Sequence, residues 1–199
     1  MDIDFLRMKK LLFILAAFVS STMSFAQVKG VVVEEVDNAG AVAGRTYRIY
    51  IELTNDSDAV HMVYGDANHP LEIKSTKPFY QSTQGGPLSS NINRKMAKEN
   101  AQVRYDSFLT IGYLDNYENA INQLLDLAEF EKSGGAVRTN DGAWYCLPGK
   151  PQTYAGSSKR VLIMQITTEG KVSGKFSIMG KTASKEVFHS YDHSFSCGR

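Results

Sequence analysis

The sequence predicts a mainly β protein, an antiparallel β-sandwich or jelly roll carrying one amphipathic helix. Three observations lead there. Apolar and polar residues alternate with period two in several stretches, Tyr47 to Leu53 and Val60 to Tyr64 among them. Clusters of Gly, Asn, Asp and Ser break these stretches at short intervals. Strand-like and helix-like segments do not alternate, so nothing signals the βαβ units of a parallel sheet.

The first segment in chain order stands outside that fold. Met8-Lys9-Lys10 precedes an apolar run, Leu11 to Val19, and Ser24-Phe25-Ala26 offers small residues where a signal peptidase reads. Residues 1–26 therefore read as a secretory signal peptide cleaved before Gln27; the competing reading is a buried core helix. Asp2 and Asp4 precede the basic pair, which is unusual for a signal and points to translation starting at Met8. The run is short of the ~20 apolar residues that span a bilayer, and no later stretch is apolar enough. No cysteine follows it to carry a lipid anchor. The expectation is an exported chain, in the periplasm or outside the cell, with residues 27–199 as one sandwich-like domain.

Composition narrows the class. Of 199 residues, 43% are hydrophobic and 22% charged, which excludes a disordered chain. Lys+Arg is 22 and Asp+Glu 21, so the basic excess of a nucleic-acid binder is missing.

From Val28 onward the chain reads as strands. Val31-Val32-Val33 is β-branched and continuous, as in a buried strand, and Asp37-Asn38-Ala39-Gly40 ends it. Tyr47, Ile49, Ile51 and Leu53 form one apolar face. Asn55-Asp56-Ser57-Asp58 turns the chain, and Val60, Met62 and Tyr64 alternate again, so 47–64 reads as a hairpin. Pro70 to Ile73 and Phe79-Tyr80 are short extended pieces. Residues 82–100 are loop-like, with room for a short helix at 94–99. Tyr105 to Ile111 is a strand stopped by Gly112.

Ile121, Leu124, Leu125 and Ala128 fall at helical spacing, and Asp115 and Glu118 stand in capping-box positions. The expected helix lies within 116–131, with Ser133-Gly134-Gly135 as its stop. Ala143 to Cys146 is a short strand. Arg160 to Thr168 and Val172 to Met179 flank Glu169-Gly170-Lys171 as the clearest hairpin. Both faces of its first strand begin apolar, which makes that strand central. Val187 to Phe195 alternates weakly, as an edge strand.

The chain has two cysteines, Cys146 and Cys197. Export permits a disulfide between them. Closing a loop of roughly fifty residues is worth about 4 kcal/mol in the entropic account. The alternative, a reactive thiol, lacks a local base or pKa-lowering signature.

An ordered series of short motifs resembles an uncharacterised extracellular module of secreted and cell-surface proteins of Bacteroidota. It comprises Thr46-Tyr47-Arg48-Ile49-Tyr50, Tyr64-Gly65-Asp66, Pro70-Leu71-Glu72-Ile73, Phe79-Tyr80-Gln81, Gly85-Gly86 and Ile92-Asn93. Tyr105-Asp106-Ser107, Thr110-Ile111-Gly112, Gln165-Ile166-Thr167-Thr168 and Ser173-Gly174 continue it. The series spans roughly 44–180. The resemblance implies a surface or secreted location and assigns no activity. Phe108 stands where such modules often carry Trp, the 115–132 segment is a local variation, and the C-terminal secretion domain of such modules is not expected after Met179.

Four constellations carry possible chemistry. His189, His193 and Cys197 would share one strand face at even spacing and, with one more ligand, could hold zinc. Against it, these are residues of an edge strand with a bridged cysteine. Asp56 and Asp58, with Asn55 and Ser57, offer oxygens to Ca²⁺, joined by Asp66 and Asn68; turn chemistry explains the same residues. Trp144, Tyr145, Tyr154 and Tyr80, with Phe79, could build an aromatic platform for a sugar, although a lone Trp in a small sandwich belongs to the core. Asp66 and Asp106 could converge as a hydrolase pair. Nucleophile elbows, phosphate loops and metalloprotease motifs are absent. The sequence favours a non-catalytic binding module of the envelope or exterior, for a glycan, protein or matrix ligand. A structural or assembly subunit of the cell surface and a small hydrolase are the alternatives. No cofactor is required.

Overall fold

A computed structural model describes residues 27–198. The expected signal peptide lies outside them. The described residues hold eleven strands: β1 (Val28–Val36), β2 (Arg45–Leu53), β3 (Ala59–Gly65), β4 (Leu71–Ser75), β5 (Phe108–Leu109), β6 (Ile121–Gln123), β7 (Val137–Thr139), β8 (Gly142–Cys146), β9 (Arg160–Thr168), β10 (Val172–Lys181) and β11 (Val187–Cys197). The protein is mainly β, and every strand pair is antiparallel.

Sheet A runs β1-β2-β9-β5. Sheet B is built on β10. β11 pairs along its whole length on one edge. On the other edge β3 and β4 lie end to end, β3 against Ser177–Lys181 and β4 against Val172–Lys175. β8 and β7 repeat this one row further out, and β6 closes the sheet on β8. The interruption between β3 and β4 is the loop 66–70, which carries part of the candidate site.

The sheets face each other across one core. Tyr47, Ile49, Ile51 and Leu53 of β2 meet Val63, Ile73, Trp144, Phe176 and Ile178 of sheet B in a single buried cluster. Period-two alternation is the cause, since each apolar face must be hidden on another layer. β9 is central, between β2 and β5, and all but Arg160 is buried. Its other side lies under the segment 80–110: Thr167 Oγ1 donates to the Tyr105 carbonyl at 2.6 Å, and Gln165 Nε2 to those of Arg104 and Asp106.

Several sequence expectations need correction. Neither predicted hairpin pairs with itself. β2 lies in sheet A and β3 in sheet B, and β9 and β10 divide in the same way. The turn residues are real, but each connection crosses between layers. Asp58 secures the first: its carboxylate accepts from Asn55 N at 2.9 Å and from Ala183 N at 2.9 Å. Val31-Val32-Val33 belongs to an edge strand, β1, and is half-buried. The 105–111 strand shrinks to Phe108–Leu109.

Of the helix expected within 116–131 only the C-terminal end forms, from Ala128 onward. Ile121–Gln123 is strand β6 on the edge of β8, with Ala120 N bound to Gln152 Oε1 at 2.8 Å. Asp115 makes a local turn with Tyr117 N, and Glu118 has φ +51°, which no right-handed helix accepts. The unpaired edge of β8 outweighs the helical spacing. The described residues carry three short helices, α1 (Arg94–Glu99), α2 (Ala101–Arg104) and α3 (Ala128–Ser133). α1 is the expected 94–99 helix, capped by Asn93. α3 ends at the expected Gly134, in the left-handed conformation at φ +66°.

Cys146 and Cys197 are unpaired. Cys146 extends the β8–β3 register past Met62↔Tyr145, level with the Met179–Gly180 end of β10, while Cys197 faces Val172 at the other end. The rise of a strand puts about 26 Å between those levels, far beyond disulfide reach. Among the described residues no helix is long and apolar enough to cross a membrane.

Candidate functional site

The outer face of sheet B carries an exposed cluster of aromatic and imidazole rings. A β-bulge creates it. Between Phe176↔His193 and Ile178↔Ser190, two residues of β11, Tyr191 and Asp192, oppose Ser177 alone. Asp192 takes φ +56°, and its N–H points to Ser177 Oγ at 3.4 Å. Tyr191 and Asp192 thus both stand on the exposed side. Ser177 also pairs with Tyr64 of β3, which brings Tyr64 to the same level.

The loop 66–70 adds His69. Asp66 Oδ1 accepts from the N–H groups of Asn68 and His69, each at 2.8 Å, and shapes the loop. His69 stacks on Tyr191 with centroids 4.5 Å apart. Its Nδ1 lies 2.8 Å from Asp192 Oδ2, and Lys175 Nζ lies 2.8 Å from Asp192 Oδ1. These two partners hold the Asp192 carboxyl below its ordinary range, Lys175 first. Tyr64 presents its edge to Tyr191 and its hydroxyl to His189 Nδ1 at 3.1 Å. Burial, then the neighbouring Tyr191, pushes the Tyr64 phenol up to about 12, so it stays a neutral hydroxyl. Tyr191 is 49% exposed and forms the centre of the surface.

Beside the cluster lies an open depression of about 590 Å³, lined by Pro70, Leu71, Glu72, Arg138, Thr139 and Lys175. Arg138 Nε donates to Glu72 Oε1 at 2.8 Å, and Lys74 pairs with the other Glu72 oxygen. Ring faces border a hollow edged with fixed donors and acceptors. Among the described residues no serine, threonine or cysteine is bonded to His69, whose side-chain partner is Asp192.

The residues expected from sequence disperse. Tyr145 does reach this outer face, opposite Met62. Trp144, its neighbour, points to the other side, as strand parity requires. It is fully buried, and its indole N–H donates to the Thr110 carbonyl at 3.0 Å. Tyr154 lies opposite Ala59, at the end of β3 remote from Tyr64. Tyr80 is on the sheet A side, its N–H bonded to the Thr167 carbonyl, and Phe79 is buried against Phe130. No shared platform results.

The Ca²⁺ candidates separate likewise. Asp58 is buried just before β3, Asp56 is exposed and accepts from the Ser57 hydroxyl, and Asp66 follows the far end of β3. Asp66 and Asp106 lie by different sheets: Asp106 is fully buried and accepts from Ser82 N, Gly86 N and Ser107 N. The zinc reading fails on parity. The bulge sends His189 to the outer face, while His193 packs beside Phe176 on the inner one. Among the described residues no group of three or more His, Cys, Asp or Glu is placed to hold a metal ion.

Sequence reasoning missed Tyr64, His69 and Tyr191. Asp192 could be read from the sequence as a carboxylate able to orient an imidazole, but not that the imidazole is His69. The period-two pair His189 and Tyr191 was the available cue, but its neighbours lie more than a hundred residues away. Comparison with family models, with curated proteins and with solved structures yields no match.

Proposed function

We infer that the chain is an exported, non-catalytic binding module of the envelope or extracellular space, and that its ligand is a glycan held on the outer face of sheet B. The observation that carries this is the ring surface of Tyr191, His69 and Tyr64, fixed by the Asp192 bulge. A sugar ring shows C–H groups on its faces and hydroxyls at its rim. An exposed aromatic face accepts the C–H side, and rigid carboxylate, imidazole and guanidinium groups accept the rim. The signal-like residues 1–26 support export, and the resemblance to surface modules of Bacteroidota supports the location. That no serine, threonine or cysteine among the described residues bonds His69, together with the separation of Asp66 from Asp106, argues against the hydrolase reading.

The test is affinity electrophoresis against neutral polysaccharides: xylan, mannan, laminarin and hydroxyethyl cellulose. At least one should retard the protein. Tyr191→Ala and His69→Ala should weaken that binding by about tenfold or more, since they remove stacking worth roughly 0.5–1.5 kcal/mol and the polar contacts it positions. Tyr154→Ala should leave it unchanged. Retention of full binding by Tyr191→Ala, or no binding to any neutral glycan, overturns the reading in favour of a protein-assembly surface.

A further inference from the structure

Residues 88–117 cover part of the outer face of sheet A. Ile92, Val103 and Phe108 form a second small core there, with Met96 and Ala97 against it. Beside this core is a depression of about 320 Å³ whose charged lining is Arg48, Arg94, Lys98, Arg104 and Asp115. Its apolar lining is Ile92, Ala97 and Leu114. Arg94, Leu114 and Asp115 also line a second depression of about 410 Å³, which holds Tyr113 and Tyr117. Together they form an elongated groove. Four cations and one carboxylate make a local excess in a chain of net charge +1.

Two of the three guanidinium groups, those of Arg48 and Arg104, are held by neutral partners. Arg48 Nε donates to Gln165 Oε1 at 3.0 Å, and Gln165 is itself buried. Arg104 Nε donates to the Ala97 carbonyl at 2.8 Å. Arg94 lies 4.5 Å over the Tyr117 ring and 3.6 Å from Asp115. Among the described residues Arg48, Lys98 and Arg104 make no ion pair. Carbonyl and amide acceptors orient a cation without neutralising it. The like charges gathered here repel one another until an oxyanion sits among them.

We propose that this groove is a second ligand site and that it takes an acidic saccharide. A carboxylate or sulfate ester sits among Arg48, Lys98 and Arg104. The C–H face of the same sugar rests on Ile92, Ala97 and Leu114, and the next unit along the chain reaches Tyr113 and Tyr117. An extended acidic peptide fits less well, because the backbone of the lining is already used. The Ile92 carbonyl accepts from Asn116 N, and those of Ala97 and Lys98 accept from Arg104. Nucleic acid is disfavoured by the near-neutral chain. The site is independent of the sheet B surface.

The probes are oligogalacturonate, dextran sulfate, neutral dextran and poly-glutamate, titrated calorimetrically into the protein. Oligogalacturonate or dextran sulfate should bind, and which of them binds identifies the anion as carboxylate or sulfate. Dextran should not. Affinity should fall by about tenfold or more between about 0.05 M and about 0.5 M salt. Lys98→Glu, on the exposed side of α1, should lose about tenfold or more, and Arg48→Gln likewise if it folds, while Tyr191→Ala binds as before. The proposal is overturned if neither acidic saccharide binds, if Lys98→Glu binds them unchanged, or if poly-glutamate binds as tightly. Its failure is separable from that of the sheet B reading, which neutral glycans and Tyr191→Ala test.

Discussion

Asp106 is a fully buried carboxyl with no ion pair among the described residues, held by three backbone N–H groups, those of Ser82 at 2.7 Å, Ser107 at 2.9 Å and Gly86 at 3.1 Å. It ties the Gly85-Gly86 loop to the sheet, so closely that a Cβ at Gly85 would sit 1.7 Å from its Oδ2. Burial pushes Asp106 from its ordinary 3.8 up to about 7, against the pull of those donors. Between these values the folded chain holds a proton that the unfolded chain has lost. Asp106 therefore contributes full stability below about pH 3.8 and loses it as pH rises through 7, a span worth roughly 4 kcal/mol. His61 and His193 act with the opposite sign, since burial lowers both and favours their neutral forms. The difference between wild type and Asp106→Asn isolates the carboxyl. The advantage of wild type in thermal melts should shrink from pH 4 to pH 7; a constant or growing difference contradicts the assignment. The motif Tyr105-Asp106-Ser107 was visible in the sequence. Its role was not, because two of the three donors, Ser82 N and Gly86 N, come from residues about twenty positions upstream.

The bulge in β11 shows how one element decides a site. Even spacing placed His189, His193 and Cys197 on one face, and a single extra residue reversed that. Asp192 pays the conformational cost at φ +56° while its carboxylate joins His69 to Lys175. Asp192→Gly should keep the fold within about 1 kcal/mol of wild type, because glycine accepts this conformation. Asp192→Val should lose roughly 1–3 kcal/mol, since a β-branched residue resists it. Thermal denaturation of the two variants compares them; equal stabilities would mean the bulge relaxes without strain. The same tension between local pattern and sheet context confined the helix expected within 116–131 to its end, from Ala128 onward. Ile121, Leu124 and Leu125 satisfied helical spacing, but the edge of β8 needed a hydrogen-bonding partner.

The whole molecule sets the state of the thiols. Cys146 and Cys197 lie toward opposite ends of sheet B, and burial raises both, Cys197 to about 12 with a further push from Glu35. Reductant should leave the melting temperature unchanged. Maleimide should label the native protein slowly and the unfolded protein at two sites. A fall in melting temperature with reductant would show a bridge and contradict this arrangement. The strand alternation, the turn clusters and the central character of β9 were legible because period-two burial is a local property of the chain. Parity likewise separates Trp144 from Tyr145 once β8 is recognised. What only the tertiary structure decided was which strands pair, that both apparent hairpins cross between sheets, and that Tyr64 and His69 meet Tyr191 and Asp192. Turn residues and apolar alternation look the same for a hairpin and for a crossing. Contacts between distant segments depend on register and on a bulge that no local pattern announces, so the fold class lay in the sequence and the binding surface in the packing.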